Sequence, residues 1–367
     1  MSAATPGTPR PKLELAHHEA RADDIPAFCA LAATEYPGEP VTDVDYVVWK
    51  HLRGPDGPST AIELKAGDAV KGRIWGQRRR WRVHGREHAA SNPIDLVIEP
   101  DARALPSLLR LLKGSFAIGM EEADLIFHTS STSTDMMYRR FMHLTPVADL
   151  DGGVIALRPA HLLSARGKRK AGPLARAADA VFGLLAGGVA RVLGRSIALV
   201  PEVEPAEDAR IIAAFHAEEA VAGVRDVPWR DWRLRDPSIA GYSFRWIVAK
   251  DRPVGWLAVA DREVDGMQLR FVLDVIAPGA VTSGFARSLW SAASADALAA
   301  GRDAIVVLAN FGGNERLSGL ARLPLIRVAR SRLPQEVPLF VRWSENARGD
   351  EPDLGVGYWT MSDFDMI

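Results

Sequence analysis

The side chains in this sequence that stand at spacings chemistry can use are few, and most of them fall in the first half. His84 and His88 lie four apart, a spacing that brings two metal ligands together on one helix face. Here they flank Val83-His84-Gly85-Arg86, which reads as a hairpin turn, so no metal is expected. Thr129-Ser130-Ser131-Thr132-Ser133-Thr134-Asp135 offers many hydroxyls, but there is no Gly-x-Ser-x-Gly elbow, and the run reads as a loop and helix cap. Arg78-Arg79-Arg80-Trp81-Arg82 could meet phosphates or an acidic glycan, with the indole as a stacking surface. Alternating exposed arginines on a hairpin explain the same run. The groups able to give or take a proton beside these are Asp95, Glu99, His128 and Tyr138. No Walker loop or dinucleotide fingerprint is present.

The elements that must position these groups come in two sets. Leu13 to Leu15 reads as a strand and Arg21 to Thr34 as a helix, followed by strands over Thr60 to Leu64, Gly72 to Val83 and Glu87 to Ile98. Pro106 to Gly119 has helical spacing through Leu108, Leu109, Leu112 and Phe116. A strand over Asp124 to His128 and a helix near Met136 to Met142 close the set. The order returns with a helix over Ala206 to Val221, strands over Phe244 to Lys250, Val254 to Ala260 and Leu269 to Ile276, a helix over Ser283 to Ala300, and a strand over Ala304 to Leu308. Trp49-Lys50-His51-Leu52-Arg53 and Trp232-Arg233-Leu234-Arg235 mark the repeat, about half the chain apart. A chain of 367 residues has room for two such mixed α/β domains.

Composition narrows the function classes. A formal net charge of −1 argues against attraction of the whole protein to nucleic acid. One cysteine, Cys29, excludes an internal disulfide framework, suits a reducing compartment, and reads as a small buried residue of the first helix. Met1 to Pro11 reads as a disordered tail, neither signal peptide nor spanning segment, and a cytoplasmic protein is expected. Between the two sets, His161 to Arg195 carries seven Lys and Arg against one acid, Asp179, around an apolar stretch from Val181 to Val192. It reads either as a linker helix packed across two domains or as an interfacial helix on an anionic membrane, on the inner face of which the protein would be peripheral.

A strand, a proline-acid-x-Arg turn and a helix follow one another at Leu96-Val97-Ile98-Glu99-Pro100-Asp101-Ala102-Arg103-Ala104-Leu105-Pro106-Ser107. This stretch resembles the acyl-CoA-binding motif of the GNAT N-acyltransferases. With Trp49, the Gly54-Pro55-Asp56-Gly57-Pro58 segment, the hairpin and the second copy, it resembles tandem GNAT proteins of exopolysaccharide and cell-envelope biosynthesis, over nearly all of residues 13–367. The resemblance implies an α/β fold with a mixed sheet, as two tandem GNAT-like acyltransferase domains, 12–159 and 199–367, joined by a helical linker, 160–198, after the 1–11 tail. It implies acetyl-CoA or another acyl-CoA as co-substrate, with the thioester along Val97 and Ile98 and the phosphates near Arg103, Ala104, Leu105 and Ser107. Helix N-termini favour such anions, and the family's glycines let them approach.

Met137-Tyr138-Arg139-Arg140-Phe141-Met142-His143-Leu144-Thr145-Pro146 is similar to the family's aromatic-x-x-aliphatic-Gly-Phe-x-Pro ending. That likeness makes Tyr138 the acid that protonates the departing thiolate, with Asp95, Glu99 or His128 as base. Ala104 and Pro106 stand where the family has glycines, and Met142 replaces a later one. The second copy departs further: Leu273-Asp274-Val275-Ile276-Ala277-Pro278-Gly279 enters its helix without an Arg-x-x-Gly-x-Gly turn, and Leu320 stands where a tyrosine is expected. Chemistry is therefore expected in the first copy: acyl transfer to an amine, with an amino sugar or envelope precursor as the acceptor class. The alternatives are a non-catalytic GNAT-derived scaffold or regulatory subunit of a polysaccharide machine, and an aminoacyl-tRNA-dependent transferase using Arg78 to Arg82.

Overall fold

The computed structural model describes residues 12–129, 132–166, 196–236, 242–279, 281–322, 324–328, 337–347 and 353–364, with single positions at 177, 179, 181, 188 and 192. The expected tail and most of the basic segment lie outside the described residues. Residues 1–79, 89–128 and 342–348 make one compact unit; residues 80–88, 129–341 and 349–367 make a second.

The first unit is built on β1 (Glu14–Glu19), β2 (Thr60–Ala66), β3 (Ala69–Val83), β4 (Arg86–Ile98) and β5 (Leu125–Thr129), in that spatial order. β1, β2 and β3 pair antiparallel, whereas β4 and β5 run parallel. β3 and β4 are the arms of the expected hairpin, and both residues of its turn are left-handed, His84 at φ 47° and Gly85 at φ 80°. That is the geometry of the two-residue turn whose twist matches the strands it joins. On one face lie α1 (Asp24–Ala33) and α2 (Val44–Leu52), burying Ile25, Phe28, Cys29 and Val47 against Ala61, Trp75 and Val97. The other face carries α3 (Leu105–Glu122), where Gly114 meets Leu15 and Gly119 meets Ile126 so closely that a Cβ at either would collide.

α2 has no counterpart among the elements expected from sequence. Asp43 caps it, its carboxylate accepting from Tyr46 N at 3.0 Å, and Trp49 is fully buried on its inner side. In the second unit Asp226 caps the helix Val227–Arg235 by accepting from Trp229 N at 2.9 Å, and Trp232 is buried. One offset relates Asp43 to Asp226, Tyr46 to Trp229 and Trp49 to Trp232. The recurring tryptophan thus marks a capped nine-residue helix in each half.

In the second unit, β6 (Pro146–Asp149) pairs with β15 (Pro338–Trp343), while β9 (Val221–Gly223) pairs with Trp81–Val83 at the hairpin tip. Its large sheet runs β14 (Ile326–Val328), β7 (Asp151–Ala156), β13 (Ala304–Ala309), β12 (Met267–Ile276), β11 (Arg252–Val264), β10 (Tyr242–Ala249), β8 (Ile197–Val200). Among its fully described elements the α-helices are α4 (Thr132–Phe141), α5 (Pro159–Arg166), α6 (Pro205–Glu218), α7 (Val227–Arg235), α8 (Ser283–Ala299) and α9 (Glu315–Leu320).

Two local expectations are corrected. The helix expected over Ala206 to Val221 ends at Glu218, because Glu219 turns extended and Val221–Gly223 becomes a strand by pairing with the hairpin tip. The turn expected at Asp251-Arg252-Pro253 lies one residue earlier, with Lys250 and Asp251 left-handed at φ 50° and 61°. Pro253 then falls inside β11 beside a register shift, as a residue without an N–H requires.

The basic segment is visible at a few helical positions. Its single acid, Asp179, accepts from Ala160 N and His161 N at 2.8 and 2.7 Å, the first-turn donors of α5. Val181 and Val192 are 57% and 59% exposed, so apolar surface faces outward there. Among the described residues no helix is long and apolar enough to cross a membrane.

Candidate active site

In the first unit β4 and β5 pair only at Ala90–Leu125 and Ser91–Ile126. The cause is in β4: Pro93 has no N–H to extend the ladder, and Asp95, left-handed at φ 52°, turns the strand out of line. The His128 ring at the end of β5 bonds to the Pro93 carbonyl. Burial pulls its pKa down to about 4, the carbonyl opposing, so the imidazole is neutral at physiological pH.

Asp95 sits at this divergence and is heavily engaged. Lys50 Nζ lies 2.9 Å from one carboxylate oxygen and 2.7 Å from the other, and His51 Nε2 lies 2.9 Å from the second. His51 Nδ1 meets Ser59 Oγ at 3.0 Å, and its ring stacks on Trp75 with centroids 4.5 Å apart. Burial disfavours the Asp95 anion, but the Lys50 charge and the His51 bond outweigh it and hold the carboxyl well below the usual range. A carboxylate so stabilised is a reluctant proton acceptor. Lys50, His51 and Ser59 are not among the site residues expected from sequence; the one available signal is that Lys50 and His51 follow Trp49 on α2, where all three are buried.

The turn from β4 to α3 carries the remaining expected residues. Glu99 accepts from Lys71 Nζ at 2.5 Å, and Lys71 also reaches Asp101 at 3.1 Å. Arg103 donates to Glu35 at 2.9 Å and to the Ile98 carbonyl at 3.1 Å. Ala104 is the N-cap of α3, extended and without a side-chain cap, and Leu108 N donates to its carbonyl at 3.0 Å. First-turn amides have no acceptor within the helix, which applies here to those of Leu105 and Ser107. Pro106 contributes none, as its type requires. The side chains of Val97 and Ile98 are buried, so what this part of β4 offers a ligand is its backbone. Glu99 also lines a groove of about 500 Å³ between α1 and the ends of β3 and β4, with Ala27, Leu31, Val70 and Arg73.

Tyr138 lies on α4 in the second unit, 2% exposed, with its ring stacked on Phe340 at 5.6 Å. Burial raises its pKa, so the phenol stays protonated and serves as a donor. The arginine run is mostly spent on internal pairs: Arg78 with Glu19, Arg80 with Glu87 and Asp226, and Arg79 buried. His18, Asp24 and Glu63 bring ligand-type atoms together, but Arg73 bonds both carboxylates and Lys65 lies 2.9 Å from Glu63.

The overall fold has solved counterparts. A GCN5-related N-acetyltransferase from Anabaena variabilis matches with a TM-score of 0.57 at 11% identity, over 91% of this chain and 74% of that one. The chain shares the GNAT fold. A probable N-acyltransferase from Enterococcus faecalis matches at 0.56 and 9% identity, over 90% and 73% of the two chains. Saccharomyces cerevisiae N-myristoyltransferase, solved with bound myristoyl-CoA, matches at 0.55 and 9%, over 93% and 81%. No family model and no curated protein matches the sequence. With GNAT neighbours spanning most of the chain and two mixed sheets present, the architecture is two GNAT-like α/β domains.

Proposed function

We propose that the protein transfers an acyl group from acyl-CoA to an amine, with the chemistry in the first half of the chain. The observation that carries this reading is the parting of β4 from β5 at Pro93 and Asp95, directly before the N-terminus of α3. The thioester would lie along the backbone of β4 near Val97 and Ile98. Its phosphates would meet the Leu105 and Ser107 amides, with Arg103 nearby. The amine nitrogen attacks the thioester carbonyl, the C–N bond forms and the C–S bond breaks, the attacking nitrogen loses a proton and the thiolate gains one. Of the three base candidates, Asp95 is tied to Lys50 and His51 and Glu99 to Lys71; His128 is neutral at physiological pH, though the burial that keeps it neutral also makes it a weak proton acceptor. Tyr138, protonated, is the acid that the family likeness assigns. An amino sugar or envelope precursor is the proposed acceptor, on the sequence resemblance.

A second reading, a GNAT-derived scaffold without catalysis, is favoured by one feature. Both cations at the turn are already neutralised by the chain's own acids, Lys71 by Glu99 and Asp101, and Arg103 by Glu35. Acyl-CoA turnover over a panel of amines, comparing the native chain with Tyr138→Phe, separates the two. The enzyme reading expects native turnover and a loss of about 10²–10⁴-fold in the variant, with its melting temperature kept. Acyl-CoA binding without turnover in either protein would establish the scaffold instead.

A further inference from the structure

We propose that the splayed end of the second sheet is a peptide cleft filled by the chain's own residues 358–364, and not a second thioester cleft. β12 and β13 pair in parallel from Leu269–Ala304 to Val272–Val307. Beyond that ladder the chain's own C-terminal segment bonds to both strands. On the β13 side, Thr360 bridges Ala309 antiparallel, and Asn310 N donates to the Trp359 carbonyl at 3.0 Å. On the β12 side, the Tyr358 hydroxyl donates to the Val275 carbonyl, and the Thr360 hydroxyl donates to Asp274 Oδ1 at 2.9 Å. Every residue from Tyr358 to Phe364 is at most 3% exposed.

The charges of the cleft are matched to this occupant. Arg225, fully buried, bonds Asp274 of β12 at 3.2 Å, Asp363 of the segment at 2.6 Å and Thr360 Oγ1 at 3.2 Å. Arg233 donates to the Ser362 and Phe364 carbonyls at 3.2 and 2.6 Å. Without the segment, Arg225 would keep one carboxylate for a buried guanidinium, and Asp274 would lose its hydroxyl donor.

The turn from β12 to α8 is closed in the same manner. It occupies the place that the Arg103 turn holds in the first half. Gly279 N donates to the Glu218 carboxylate at 2.7 Å, so an internal anion already sits on that amide. Arg316 holds the arrangement by donating to the Ala277 and Gly279 carbonyls at 2.6 and 2.7 Å and to Glu219 at 2.6 Å. Strand edge and turn amide, the two features that would receive a thioester and its phosphate, are both satisfied by the chain itself.

The inference stands apart from the acyl-transfer reading, and hydrogen–deuterium exchange on the full chain tests it. Amides of 358–364 are expected in the slowest-exchanging class, together with those of β12. Saturating acetyl-CoA is expected to leave 272–282 and 358–364 unchanged. Thr360→Val keeps the side-chain shape but removes the hydroxyl link to Asp274 and Arg225, and should speed exchange of 358–364 at least tenfold. Fast exchange of the native segment, protection gained at 272–282 with acetyl-CoA, or no effect of Thr360→Val would overturn the proposal. If acetyl-CoA changes nothing anywhere while 358–364 stays slow, the acyl-transfer reading fails and this one holds.

Discussion

Asp95→Asn is the sharpest perturbation of the first unit. Lys50 has a side chain 2% exposed and lies 2.7 Å from Asp95, itself 13% exposed. The substitution keeps the shape but removes the charge, leaving a buried ammonium beside a neutral amide. Breaking a buried pair by removing one partner costs about 3–5 kcal/mol, because the other charge is left uncompensated. At roughly 2–4 °C per kcal/mol for domains of this size, the melting temperature should fall by on the order of 6–20 °C. Lys50→Met removes the stranded charge, so the double variant should recover most of the loss. Thermal and urea unfolding of the four chains closes the cycle. The gap between native and Asp95→Asn also has a pH signature. The folded carboxyl titrates below its usual value, so the pair's contribution is complete above about pH 5 and lost only as pH falls through the folded value. An Asp95→Asn chain as stable as the native one, or a double variant no better than the single, would refute the reasoning.

Other outcomes follow from the same contacts. His216 is 9% exposed and burial, reinforced by the Arg225 charge, lowers its pKa to about 4. The unfolded state takes a proton near pH 6.5 that the native state refuses until about pH 4, so stability should fall by about 3 kcal/mol across that window. His216→Gln should flatten the urea-midpoint profile between pH 6.5 and 4, and an unchanged slope would contradict the assignment. We propose that the exposed valines of the basic segment meet an anionic membrane. Sedimentation with anionic vesicles should then retain the native chain at low salt and release it at high salt, while Val181→Asp with Val192→Asp should stay in the supernatant; equal partition of both proteins would dismiss the contact.

Much of the frame was legible because it rests on local chemistry. His84-Gly85 specifies its turn through two left-handed positions, and Pro106 with the leucine spacing of α3 marks a helix start. The part Pro93 plays in parting β4 from β5 is not legible, because Glu87 to Ile98 reads as one unbroken strand. What else was not legible depends on partners remote in sequence. Lys50 and His51 meet Asp95 from more than forty residues away, and Arg103 meets Glu35 across the same fold. α2 is nine residues long, with charged residues among its apolar ones, so its periodicity is faint and its Asp43 cap is the stronger sign. β9 is three residues whose strand state exists only through pairing with Trp81–Val83. The occupant of the second cleft is invisible for the same reason, since Thr360 and Asp274 are far apart until the chain folds.

The most direct test of the central claim is acetyl-CoA binding to the native chain and to Leu105→Glu by calorimetry. Leu105 is 50% exposed in the first turn of α3, so a carboxylate there favours the helix while repelling a phosphate at the same amides. The account predicts one site per native chain, weakened at least tenfold in the variant with no loss of melting temperature. Absence of binding to the native chain, or equal affinity in the two proteins, would contradict it.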